Sequence, residues 1–126
     1  MALILVIDDD ELFRLMLVEL LIRSGYQVVA ARDGREGAQL FHQAAPDLVI
    51  TDLIMPEREG IETIIEIRKA RPEIPIIAVS GGGRNQPEDY LPLAEAMGAA
   101  CTFAKPFDRR AFLAAVARLV NRPATP

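Results

Sequence analysis

Leu3-Ile4-Leu5-Val6-Ile7-Asp8-Asp9-Asp10 is the stretch that decides how the remainder of the chain is read. Five apolar residues, too few for a core helix, run straight into three carboxylates. That is the pattern of a buried strand ending on a polar rim. The pattern recurs. Leu48-Val49-Ile50-Thr51 leads to Asp52, Ile76-Ile77-Ala78-Val79 to Ser80, and Cys101-Thr102-Phe103-Ala104 to Lys105. If these runs are parallel strands of one sheet, three carboxylates, a hydroxyl and an ammonium meet at one edge. Such a set suits a divalent cation and a phosphoryl group.

Helical periods separate the runs. Residues 11–23 place Leu12, Leu15, Met16, Glu19 and Leu20 at helical spacing, with Gly25 as the stop. Further helices are expected over 35–44, ended by Pro46, over 59–70 with Ile61, Ile64, Ile65 and Ile67, near 91–97, and near 108–121. Gln27–Ala31 reads as a weaker strand beside those at 3–7, 47–51, 75–79 and 100–104. Five strands alternating with five helices imply an α/β fold: a doubly wound, five-stranded parallel sheet with helices on both faces. Ligands in such sheets bind beyond the carboxyl ends of the strands, where strand order reverses. The second strand is followed only by Arg32-Asp33-Gly34, read as a turn. An order of 2-1-3-4-5 would put that strand on an edge, away from the site.

The bulk properties narrow the class. The 126 residues suit one domain, over 1–121, with a frayed tail over 122–126. The chain is 51% hydrophobic and 25% charged, as a folded globular domain should be. A net charge of −4 argues against a nucleic-acid surface. The arginines at 109, 110, 118 and 122 interleave with apolar residues and read as a solvated helix face. Cys101 is the single cysteine, so no internal disulfide forms, and it is expected in buried strand packing. No basic leader precedes the first apolar run, and no run approaches the ~20 residues a membrane helix needs. A cytoplasmic protein is expected. His42, the sole histidine, is expected on the surface, and Ile61, Ile64, Phe112 and Val116 in the core.

The acids carry the chemistry. Asp8, Asp9 and Asp52 would repel one another at short range unless a cation joined them. Mg²⁺ answers this with oxygen ligands in an octahedron. Capping of the helix that starts near Glu11 accounts for Asp10 and leaves the others unexplained. A carboxylate such as Asp52 can act as a nucleophile toward phosphorus. Lys105 and the Ser80 hydroxyl would then steady the negative charge spread over the transferring group.

Taken together, these stretches resemble the receiver domains of two-component response regulators over residues 3–120. The likeness lies in Ile4-Leu5-Val6-Ile7-Asp8-Asp9-Asp10-Glu11, in Pro46 to Pro56 with Gly60, in Val79-Ser80-Gly81 and in Lys105-Pro106-Phe107. It implies the flavodoxin-like 2-1-3-4-5 order and phosphorylation of Asp52 by a sensor histidine kinase or a histidine phosphotransfer protein. It implies Mg²⁺ held by Asp9, Asp52 and the backbone carbonyl of Ile54, with Asp8 acting through water. A cis Lys105-Pro106 peptide and a downstream protein partner are implied too, and no enzymatic activity beyond the domain's own phosphorylation and dephosphorylation.

Two departures stand out. Receivers usually carry Tyr or Phe three residues before the lysine, where this chain has Thr102. Phe103 cannot replace it, because strand side chains alternate faces. The run Gly81-Gly82-Gly83-Arg84-Asn85-Gln86-Pro87 is unusually permissive, and Pro92 confines the next helix to a start near Leu91. A hinge over 81–90 that orders through Ser80 on phosphorylation is the expectation. Two other functions compete: a small haloacid-dehalogenase-type phosphatase using Asp8-Asp9-Asp10, and a receiver-like oligomerisation module that is never phosphorylated.

Overall fold

The computed structural model describes residues 2–53, 59–80, 96, 98–105 and 107–121, apart from the side chains of 59–61. Five strands, β1 (Leu3–Ile7), β2 (Gln27–Ala31), β3 (Leu48–Asp52), β4 (Ile76–Ser80) and β5 (Cys101–Ala104), form one parallel sheet in the order β2-β1-β3-β4-β5. Four helices are described: α1 (Glu11–Arg23), α2 (Gly34–Ala44), α3 (Glu59–Ala70) and α4 (Arg109–Val120). Of the helix expected near 91–97 only Ala96 is described, and it is helical. The Ile54 carbonyl, the Ile61 side chain, the loop over 81–90, the Lys105-Pro106 bond, Arg122 and the tail over 122–126 lie outside the described residues.

The sheet divides its side chains between two cores. Leu5, Ile7, Val49, Ile76 and Ala78 pack with Phe41, Ile64 and Ile67 under α2 and α3. The alternate residues Ile4, Val6, Ile50, Ile77 and Val79 pack with Leu17, Leu21, Phe112 and Val116 under α1 and α4. The two middle strands β3 and β4 are buried throughout, as continuous apolar runs require, whereas β2 and β5 are only partly covered. Gly37 brings α2 against the sheet so closely that a Cβ there would lie 2.5 Å from Ile7 Cδ1.

Local details follow from the sequence. Asp10 caps α1 by accepting from the Phe13 N–H at 3.2 Å, and Asp108 caps α4 in the same manner. Arg32-Asp33-Gly34 is more than a turn. Asp33 accepts from the Glu36 N–H at 2.8 Å, and the Glu36 carboxylate returns to the Arg32 N–H at 2.9 Å. Near α2's end Ala45 adopts a left-handed φ of 50°, so the helix stops at Ala44, two residues before Pro46.

Two packing details depart from the simplest reading of the sequence. The apolar residues of α1 do not mark its inner face, because Leu12 and Leu15 are exposed while Leu17 and Leu21 are buried. Apolar residues ring this helix, so spacing alone cannot choose a side. Cys101 is only half-buried, and its sulfur accepts from Arg118 at 3.0 Å.

Candidate functional site

Sheet register brings the acids together. Ile7 of β1 pairs with Thr51 of β3, so Asp8 and Asp52 leave neighbouring strands at the same height. Both are almost completely buried, and the adjoining Asp9 is exposed. One carboxylate oxygen from each of the three lies within 4.8 Å of the others. Asp8 is held hard: its N–H donates to the Ala31 carbonyl at 3.1 Å, and its own carbonyl accepts from Arg14 at 2.8 Å. The Thr51 hydroxyl donates to the Asp52 carbonyl at 3.2 Å.

Lys105 arrives from the end of β5. Its N–H donates to the Ser80 carbonyl at 2.7 Å, carrying the ladder one residue beyond the strand. The ammonium then reaches inward, 3.0 Å from Asp8 Oδ2 and 3.3 Å from Asp52 Oδ2. Its side chain is 13% exposed. Burial by itself would lower the pKa of the ammonium, but Asp52 and then Asp8 outweigh it and hold the group above the usual lysine range.

Although its side chain reaches solvent, partial desolvation at the cluster and then repulsion from Asp8 raise the Asp9 carboxyl from its ordinary value. One lysine therefore does not neutralise the cluster. Three converging carboxylates, one of them open to solvent and raised by its neighbour, fit a hard divalent cation such as Mg²⁺.

Ser80 sits beside this cluster at the end of β4, fully buried, and its hydroxyl has no hydrogen-bond partner among the described residues. A buried unpaired hydroxyl costs free energy, so its presence calls for a reason. Thr102 pairs with Ala78 and shares its face of the sheet, while Phe103 pairs with Val79 and packs toward Phe107 and Phe112. The aromatic residue thus lies on the opposite face from Thr102, as strand alternation requires.

Phe13 of α1 joins the site as well. The Lys105 ammonium stands over its ring, 4.0 Å from the centroid. Nothing in the sequence singles Phe13 out, because its role depends on how α1 is rotated against the sheet.

Sequence and structure comparisons identify the family and the fold. The family model for the response regulator receiver domain matches residues 4–117, and the chain belongs to that family. The chemotaxis protein CheY of Bacillus subtilis is 32% identical over 119 residues, which cover 94% of this chain and 97% of that protein. The transcriptional regulatory protein PdtaR of Mycobacterium tuberculosis is 34% identical over 120 residues, covering 94% of this chain but 57% of that longer protein. A receiver domain from Clostridium thermocellum superposes with a TM-score of 0.88 at 32% identity, covering 97% of this chain and 96% of that one. The chemotaxis protein CheY4 of Vibrio cholerae gives 0.81 at 29%, with 94% and 98% covered. The chain is therefore a receiver module of the two-component signalling class. No helix among the described residues is long and apolar enough to cross a membrane.

Proposed function

We propose that the domain over 1–121 accepts a phosphoryl group on Asp52 from the phosphorylated histidine of a sensor kinase or phosphotransfer protein, and then signals to a protein partner in the cytoplasm. The supporting observation is the position of the Lys105 ammonium between Asp8 Oδ2 and Asp52 Oδ2, in a cluster that includes Asp9.

In the transfer, an Asp52 oxygen attacks phosphorus. The new O–P bond forms as the P–N bond to the donor imidazole breaks, and the departing nitrogen takes a proton. Lys105 is already within reach of Asp52 and follows the negative charge onto the phosphoryl oxygens. The Ser80 hydroxyl, which has no partner among the described residues, would donate to one of those oxygens. Asp9, Asp52 and the Ile54 carbonyl would hold Mg²⁺, with Asp8 acting through water; when bound, the ion supplies charge neutralisation at the phosphoryl group. The same residues, with water as nucleophile, would serve the domain's own dephosphorylation.

Asp8 is poorly suited to be the nucleophile of a haloacid-dehalogenase-type phosphatase. Its Oδ1 accepts from the Asp10 N–H at 2.8 Å and its Oδ2 from Lys105. Incubation with acetyl phosphate and Mg²⁺ tests the proposal by intact mass. Wild type should gain one phosphoryl group, whereas Asp52→Asn, or wild type without Mg²⁺, should gain none. Equal gain by Asp52→Asn would refute Asp52 as acceptor, and steady hydrolysis of a phosphomonoester would favour the phosphatase.

A further inference from the structure

We propose that Phe13 is a positioning residue for phosphoryl transfer, its ring face steering the Lys105 ammonium between the two buried carboxylates. The proposal deepens the reading of Asp52 as acceptor and rests on it.

The ammonium has three protons and two carboxylate partners, Asp8 and Asp52. Its remaining side is met by the face of the Phe13 ring, 4.0 Å from the centroid. The negative face of an aromatic ring attracts a cation, and more strongly where water is excluded. Lysine needs such a guide, because its charge is a compact point on a flexible four-carbon stem.

Phe13 is itself fixed from two directions. Asp10 caps its backbone N–H in the first turn of α1. The Phe107 ring meets Phe13 edge to face, with centroids 5.8 Å apart and an interplanar angle of 87°. Phe107 follows Lys105 by two residues and stacks at 4.6 Å on Phe112, which is fully buried. The ring under the ammonium is thus tied to the segment that carries the lysine and to the core beneath α4.

A ring face also suits a cation that must move. During transfer, charge passes from the Asp52 carboxylate to the phosphoryl oxygens. A third hydrogen bond would have to break or bend as the ammonium followed, whereas the broad potential over a ring lets it slide. Leucine at this position would fill comparable space and offer no such face.

The test compares Phe13→Leu, Phe13→Tyr and Phe13→Trp with wild type, by rate of phosphorylation in acetyl phosphate and saturating Mg²⁺. Phe13→Leu should react roughly three- to tenfold more slowly, the range for a partly desolvated cation–π contact, and Tyr and Trp should restore the rate. Mono-, di- and trifluorinated phenylalanine at position 13 preserve ring shape while draining its face, and should slow the reaction stepwise. In the unphosphorylated protein, the Lys105 ε-methylene protons should show an upfield ring-current shift that Phe13→Leu abolishes. A wild type that takes no phosphoryl group overturns the acceptor reading, and this proposal with it. A wild type that reacts while the fluorinated proteins react equally fast overturns the role of Phe13 alone.

Discussion

The Ser80 hydroxyl is fully buried at the end of β4 and finds no hydrogen bond among the described residues. Ser80→Ala removes a polar group that has no partner among the described residues and barely changes the packing volume. The variant should be more stable to urea by about 1 kcal/mol, and slower to accept a phosphoryl group. A loss of stability would mean that the hydroxyl has a structural partner. Such residues were legible because the chemistry sits where apolar runs end: Asp8, Asp52, Ser80 and Lys105 could each be named from the run before it. Phe13 could not. Its part depends on the rotation of α1, and the apolar residues surrounding that helix leave the rotation open. Asp33 carried a readable signal, since Asp33 and Glu36 stand at the spacing of a reciprocal cap.

At the scale of elements, Arg68 ties three stretches of backbone together. From the last turn of α3 its guanidinium donates to the carbonyls of Pro72 at 2.6 Å, Ile74 at 2.8 Å and Gly98 at 2.7 Å. It therefore fastens the end of α3 both to the approach to β4 and to the residues just before β5. Gly98 has a φ of +103°, and a Cβ there would lie 3.1 Å from Arg68 Nε, so glycine is needed for backbone and space alike. Arg68→Met keeps the stem and loses the donors. We expect about 2 kcal/mol of destabilisation in urea unfolding, because charge-assisted bonds are lost while the exposed carbonyls of Pro72 and Gly98 regain water and that of Ile74 is only partly open to it. Strand positions were legible to within a residue, since β3 and β4 are continuous apolar runs. The Arg68 clamp was not, because three carbonyls distant in sequence leave no mark on the residue types around them.

At the scale of the whole molecule, strand order converts scattered acids into one charged site, and Lys105 links it to stability. Its pKa in the folded protein is raised, so its contribution is fully present below the unfolded lysine value of about 10.4. That contribution is lost as pH climbs through the higher folded value. Wild type should therefore lose stability in this alkaline window more steeply than Lys105→Met. At neutral pH the variant should be less stable by roughly 3–5 kcal/mol, because two buried carboxylates lose their cation. Equal alkaline slopes would show that the ammonium is not paired as described.

The central claim is that Asp52, and no other group in the cluster, forms the bond to phosphorus. Borohydride reduction after treatment with acetyl phosphate and Mg²⁺ converts an aspartyl phosphate to homoserine, which peptide mapping then locates. Homoserine at position 52 alone is the expected result; homoserine at position 8 or 9, or a stable phosphoester on Ser80, would contradict the account.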